Sequence, residues 1–321
     1  MTDITLQRIH DTSVWQQLMA RSPQGTEFLD PEFLSLFGVP YRLYGLFRGG
    51  VCIMGLPVID ARSLGGAALP WCYKQGPVFY DEIFKGAAAK RIQYEVELAE
   101  LAVTELAKCE DYFHFSLDSG LTDVRGYDWA HYHDADKPRC RIAPRYSAIL
   151  DLAQIGSESL RDMGRSARRQ EERYAIEREY LCGAMDGTVE ELHALYLATF
   201  DRQGLSVPRH ETALFAPYVQ HFLTKGIGHI CVIRDPDGHA VAAAFVFRDQ
   251  DNTWHVPIIG TGNTRYGGTL LYYQILDFAL SKGAKAMDFD GANSPNRGYF
   301  KHSLGALPRL YFDVTYDAKA G

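Results

Sequence analysis

The chain has no cysteine pair at a redox or metal spacing. Its six cysteines (Cys52, Cys72, Cys109, Cys140, Cys182 and Cys231) are scattered, with no C-x-x-C and no His/Cys cluster. A zinc site and a disulfide framework are therefore not expected, and the thiols read as reduced core residues. Long apolar runs are also missing. None approaches the roughly 18 residues that cross a bilayer, and Met1-Thr2-Asp3-Ile4 has no basic stretch leading into an apolar one. A cytoplasmic protein with no membrane partner is expected. Positive charge is in deficit, with 33 Lys and Arg against 40 Asp and Glu and a formal net charge of −7. The global field repels a polyanion, so a nucleic-acid partner would need a local basic patch. What remains is an ordinary globular composition, 46% hydrophobic and 23% charged over 321 residues. That is enough chain for two modest domains without staples.

The order of elements repeats. In the first half, strand-like runs at 41–48 and 51–59 are joined through Gly49-Gly50, a tight-hairpin signal. Short helices are expected near 14–20 and 31–37. A long helix over 87–108 is predicted from Ile92, Val96, Ala99, Val103 and Leu106 at three- and four-residue steps. A buried strand at 112–117 follows, ending at Asp118-Ser119-Gly120. The second half shows strands at 227–234 and 240–248 around Pro236-Asp237-Gly238, and a third at 253–259. A Gly-rich loop, a helix over 269–282 and a strand at 284–290 then end at Gly291. Between the halves, 157–180 reads as one charged helix, with two more near 189–202 and 212–225. The expected fold class is α/β with mixed, mostly antiparallel sheets flanked by helices, in two related halves spanning 1–150 and 151–321.

The loop Gly260-Thr261-Gly262-Asn263-Thr264-Arg265-Tyr266-Gly267-Gly268-Thr269 lies between a strand and a helix. Backbone N–H groups at such a helix start can hold an anion, although a plain flexible turn has the same composition. No Lys-Ser/Thr follows the glycines, which argues against a Walker loop, and the third glycine of a dinucleotide fingerprint is missing. With the element order, this loop resembles the GNAT superfamily, whose Arg/Gln-x-x-Gly-x-Gly/Ala loop binds the pyrophosphate of coenzyme A. Here the sequence is Arg265-x-x-Gly268-x-Leu270. A leucine at the final small position would obstruct the approach of a pyrophosphate.

The C-terminal stretch Met287-Asp288-Phe289-Asp290-Gly291, followed by Arg297-Gly298-Tyr299-Phe300-Lys301 and Gly305, is similar to the closing motif of the Fem-like branch of that superfamily. Ser166-Ala167-Arg168-Arg169 resembles the opening of that branch's second half. The resemblance implies an acyl- or aminoacyltransferase that forms an amide, in which an amine attacks an activated ester or thioester. It also implies that Phe300 packs on the terminal adenosine of the donor and that Lys301 faces the reacting carbonyl. A fixed cation at the developing oxyanion is worth about 10²–10³ in rate; the alternative for Lys301 is a solvated helix lysine. Asp290 and His255 complete the candidate catalytic set, His255 as a base titrating near neutrality. For Asp288 and Asp290 a bracing role is equally open, and a lone strand histidine is commonly structural. Donor binding is assigned to Phe300, Arg265, Gly267, Gly268, Arg297 and Asn293.

Arg161, Arg165, Arg168, Arg169 and Arg173 form a basic stripe at helical spacing, interleaved with Asp162, Glu171, Glu172 and Glu177. It reads either as a phosphate-binding surface or as a solvated face of ion pairs. The acceptor side is assigned to Trp71, Tyr73, Lys74, Arg168 and Asp288, with 69–77 as a pocket wall, core packing by Trp71 being the more ordinary account. The segment 31–37 carries no lysine where peptidoglycan-modifying relatives use one, so a small amine or a peptide is the expected acceptor. No tightly bound cofactor is expected. The expected donor is an aminoacyl-tRNA, preferred because of Leu270; the alternative is an acyl-coenzyme A, towards which the acidic net charge leans. A non-catalytic ligand-binding protein is the rival from another class.

Overall fold

The computed structural model describes residues 3–153, 155 and 157–319. The chain forms two compact units, Met1–Arg145 with Leu310–Gly321, and Tyr146–Arg309. The C-terminal segment thus returns to the first unit.

In the first unit β1 (Ile4–Arg8), β2 (Tyr41–Arg48), β3 (Val51–Ile59) and β4 (Val78–Phe79) form an antiparallel sheet in that order. The expected hairpin is β2–β3. Gly49 and Gly50 both have left-handed backbone (φ 56° and 82°), the conformation that lets a two-residue turn follow the strand twist. Helices α1 (Thr12–Arg21), α2 (Pro31–Ser35), α3 (Ala88–Leu106) and α4 (Arg125–Trp129) belong to this unit. The apolar stripe of α3, including Val96, Ala99, Val103 and Leu106, is buried in the same core as Leu46, Met54 and Leu56 of the sheet. Strand β5 (Tyr112–Ser116) pairs antiparallel with the end of β12 (Leu307–Asp317).

The second unit holds β6 (Arg141–Asp151, from Tyr146 on), β7 (Cys182–Ala184), β8 (Gly228–Arg234), β9 (Ala240–Arg248), β10 (Thr253–Thr261) and β11 (Ala286–Asp288). Their order is β6-β11-β10-β9-β8-β7, with β10 and β11 the parallel pair. Residues 242–247 of β9 are all fully buried, which requires cover on both faces. Ala242, Ala244 and Val246 join the core that contains Leu271 and Ile275 of α9 (Gly267–Ser281). On the alternate face, Phe245 and Phe247 pack on Phe222 of α8 (Arg209–Thr224), with ring centroids 5.4 and 4.3 Å apart. Helix α7 (Val189–Asp201) packs on β9 and β10.

The expected single helix over 157–180 is two helices, α5 (Ser157–Met163) and α6 (Ser166–Glu177). The break serves α10 (Pro295–Ser303): Arg165 is extended and its N–H donates to the Ser303 carbonyl at 2.9 Å. A Cβ at Gly164 would stand 3.1 Å from that oxygen, so the approach needs glycine.

Strand β10 opens the site. Its register with β9 slips between His255 and Ile258, a bulge that contains Pro257, whose missing N–H is tolerated there. Its parallel pairing with β11 covers only Thr253–His255 against Ala286–Asp288, after which β10 continues to Thr261. Parallel strands that part at their C-terminal ends leave the crevice in which open α/β sheets bind ligands.

Candidate functional site

At the end of β10 the chain turns through 262–266 into α9. The N-cap residue Tyr266 makes no side-chain cap bond and the first turn has no acidic residue, so the helix dipole faces the loop, with the Gly268 N–H between the Gly267 and Thr269 N–H groups that Thr264 Oγ1 and the Tyr266 carbonyl take. The cavity there, about 340 Å³, is lined by Arg168, Arg202, Arg265, Glu171, Phe300 and the loop itself. Arg202, from the end of α7, donates to the Thr261 carbonyl at 2.5 Å, to the Gly262 carbonyl and to Thr261 Oγ1 at 2.8 Å, fixing the loop from below. Thr264 Oγ1 accepts from Gly267 N–H at 3.2 Å and donates to Glu179 at 3.3 Å. Arg168 lies with its guanidinium carbon 4.4 Å from the Phe300 ring centre and donates to Ser303 Oγ at 2.7 Å. It also forms an ion pair with Glu171 at 2.5 Å, whose carboxylate accepts from Thr269 Oγ1 at 2.6 Å.

The glycines of this loop have separate reasons. A Cβ at Gly260 would meet Tyr196 N at 2.3 Å and Leu195 C at 2.4 Å, so this residue lets α7 lie on β10. Gly267 is hemmed by Thr264, while a Cβ on Gly268 would have its nearest neighbour 3.9 Å away, so only Gly268 borders open space. Leu270 does not obstruct the loop. It is 5% exposed and its side chain belongs to the core under the sheet.

A buried polar cluster lies behind the crevice. His255 is fully buried, its Nδ1 3.0 Å from Asp290 Oδ1 and its ring stacked 4.9 Å from Phe247. Its Nε2 is 3.6 Å from Asp249. Asp288 accepts from Ser147 Oγ and from Asp290 N–H at 2.9 Å. Asp290 has left-handed backbone (φ 55°), and its Oδ2 is buried with no hydrogen-bond partner among the described residues. Lys301 holds this turn. Its ammonium donates to the carbonyls of Phe289 at 2.5 Å and of Asp290 and Gly291 at 2.9 Å each, engaging all three N–H groups. Burial pulls the Lys301 amine down to about 8, against the opposing pull of Asp290 and Asp288. Burial pushes the Asp290 carboxyl up, with His255 opposing.

Of the residues expected at the donor side, Phe300, Arg265 and Gly268 converge on the cavity, joined by Arg168 from the expected acceptor set. Gly267 is buried beside them. Arg297 is exposed on α10, and Asn293 bridges Tyr146 N and O at 2.8 and 3.0 Å. Trp71, Tyr73 and Lys74 are partly buried residues of the first unit, Lys74 being 3.8 Å from Asp118. Asp288, expected at the acceptor, is committed to the buried cluster. Arg202 and Glu171 were not expected as site residues; Glu171 carried a sequence signal, three residues after Arg168, and Arg202 none. Thr261, Thr264 and Thr269 belong to the loop read as a possible anion site, without roles of their own. Much of the basic stripe on α5 and α6 is neutralised within the unit. Arg161 pairs with Glu172 and Asp277, and Arg169 pairs with Asp162.

Residues 157–301 match the family described as an acetyltransferase (GNAT) domain. No curated protein matches the sequence. In three dimensions the chain is similar to FemX, at 12% identity over 95% of this chain and 96% of the other, with a TM-score of 0.64. It is similar to L-PGS from Bacillus licheniformis, at 13% identity over 97% and 92%, with a TM-score of 0.52. A tandem GNAT protein from the clavulanic acid biosynthesis pathway matches at 13% identity over 99% and 100%, with a TM-score of 0.51. Residues 157–301 therefore match a GNAT acetyltransferase domain, and the chain as a whole has a tandem GNAT-like fold similar to that of FemX.

Proposed function

We propose that the protein transfers an acyl group from a coenzyme A-type thioester to the amine of a small molecule or peptide, forming an amide. The observation that carries this reading is the α9 start. The N-terminal dipole of α9, open space at Gly268 and the positive charges of Arg168, Arg202 and Arg265 share one cavity, while Leu270 points into the core. Those are the requirements of a bound pyrophosphate. The sequence argument for aminoacyl-tRNA rested on Leu270 as an obstacle, and that obstacle is absent. The stripe offered to a polyanion is also largely spent on carboxylates, and one face of Phe300 is taken by Arg168 rather than left open for an adenine.

In the reaction the acceptor nitrogen attacks the thioester carbonyl, and the thiolate leaves and takes up a proton. From Val256 to Gly260 no strand among the described residues pairs with the β11 side of β10, and the backbone groups there are offered to the acyl-bearing arm. His255 is sealed from solvent and its part is to hold Asp290 and the strand in place. Lys301, with Asp290, acts as a positioning residue that fixes the 289–291 turn and, through α10, the Phe300–Arg168 stack. Trp71, Tyr73 and Lys74 remain the proposed acceptor contacts, and their substitution by alanine should raise the acceptor KM and leave donor binding unchanged. The deciding experiment is titration of the whole chain with coenzyme A and, separately, with charged tRNA. Saturable thermal stabilisation by coenzyme A alone is expected. A response to charged tRNA alone would replace the donor, and ligand binding without turnover of any acyl donor would favour a binding protein.

A further inference from the structure

The first unit has a cavity of its own, about 570 Å³, between the β2–β3 hairpin and the start of α3. Its lining is unusual in charge. Arg48, Lys85, Lys90 and Arg91 face one carboxylate, Glu82, which is already bonded to Lys85 at 2.7 Å. Elsewhere in the chain arginines are paired with carboxylates, as with Arg42, Arg62, Arg125, Arg139 and Arg234. Arg48, Lys90 and Arg91 have no ion pair among the described residues.

Two further features point the same way. Helix α3 begins without a side-chain cap and without an acidic residue in its first turn, where Lys90 and Arg91 stand instead. Cations there oppose the helix dipole, a penalty that a bound anion reverses. Tyr94 lines the same cavity, and its hydroxyl is buried with no hydrogen-bond partner among the described residues. A buried donor left without an acceptor is destabilising, and a ligand acceptor removes that cost. The remaining wall is apolar: Ile53 and Ile83 are buried, Val51 is 48% exposed, and the rings of Tyr80 and Tyr94 complete it.

We propose that this cavity binds a small organic anion, a phosphate or carboxylate on an apolar or aromatic body. Arg48, Lys90, Arg91 and the α3 start take the charge, the Tyr94 hydroxyl donates to it, and Val51, Ile53 and Tyr80 cover the body. The site is separate from the α9 loop and does not depend on the identity of the acyl donor. The test uses the whole chain carrying Arg202→Gln and Arg265→Gln, so that the second unit's anion loop is disabled. The probe is phenyl phosphate, with benzyl alcohol as its uncharged counterpart, followed by calorimetry. Saturable binding of phenyl phosphate is expected, with no binding of benzyl alcohol. Adding Arg48→Gln or Arg91→Gln should weaken it about tenfold for each lost charge-assisted contact, and Tyr94→Phe should weaken it less. Both arginines are on the surface of their elements, so an unchanged melting temperature will certify the fold. Absence of saturable binding, or binding indifferent to Arg48 and Arg91, overturns the proposal.

Discussion

Glu171 is the carboxylate in the proposed donor cavity, and replacing it should tighten donor binding. Its side chain forms an ion pair with Arg168 at 2.5 Å and accepts from Thr269 Oγ1 at 2.6 Å at the start of α9. It therefore occupies, with a negative charge of its own, the kind of place that a donor phosphate needs. Two contributions set the magnitude. The pair is partly exposed, with side chains 20% and 28% accessible, and breaking it costs about 0.2–1 kcal/mol. A phosphate charge about 5 Å from the carboxylate at an effective dielectric of about 40 is opposed by roughly 1.5 kcal/mol. Glu171→Gln keeps the shape and removes both, while Arg168 stays held by Ser303 Oγ and the Phe300 ring. The expected gain is about 1.7–2.5 kcal/mol, a fall of roughly 20–70-fold in the Kd for coenzyme A. Calorimetric titration measures it, and the gain should shrink as salt is raised, because exposed charges are screened. An unchanged or weaker Kd in Glu171→Gln, with the wild type binding, would refute the assignment of Glu171. Failure of both proteins to bind would instead refute the donor.

Two glycines eight residues apart should behave oppositely. Gly260→Ala drives a Cβ against the α7 backbone at 2.3–2.4 Å and should lower stability by about 3 kcal/mol in a denaturant melt. Gly268→Ala meets nothing closer than 3.9 Å, so stability should hold within about 0.5 kcal/mol while coenzyme A binding weakens. Lys301→Met removes the three donors from the 289–291 carbonyls and leaves Asp290 without its cation, a loss of about 3–5 kcal/mol at pH 7, read from melting. The pH dependence has a definite sign. The Lys301 amine is pulled from 10.5 to about 8 in the folded chain. Between those values the unfolded chain binds the extra proton, so this residue makes stability rise with pH across the window. The wild-type-minus-variant stability difference should therefore grow from pH 8 to 10. A difference that shrinks there would mean that the carbonyl bonds outweigh burial.

The fold was legible where periodicity and turn chemistry agreed. The Gly49-Gly50 hairpin, the stripe of α3 and the β8–β9 hairpin each carry a local signal strong enough to survive tertiary packing. Strands β6 and β12 were illegible for a physical reason. Arg141, Pro144 and Arg145 in one, and Leu307 to Leu310 in the other, are largely exposed ends that break the alternation. The break at Gly164-Arg165 was invisible as well, because it answers to Ser303, more than a hundred residues away. Helical spacing on either side of it continues without interruption.

The site was legible as a motif and illegible as a geometry. A sequence can show that Arg265-x-x-Gly268 starts a helix. It cannot show which way Leu270 points, and that direction reverses the donor argument: one turn into α9 the side chain is in the core, and the loop above it is clear. The same limit applies to Lys301. Its place after Phe300 suggests a cation free to meet an oxyanion, whereas all three of its N–H groups are engaged by the turn that ends β11. A fully engaged ammonium cannot donate to a transition state without giving up a carbonyl, a step that would loosen Asp290 from its left-handed conformation and, with it, His255 beside the β10 bulge. On the proposed function, electrostatic assistance falls instead to the N-terminus of α9 and the backbone of β10 beyond His255. Conservative replacement of Lys301 by arginine separates the two accounts. A guanidinium cannot fill a three-carbonyl cage shaped for an ammonium, so a positioning role predicts loss of stability together with loss of rate. An oxyanion role predicts that rate alone is lost.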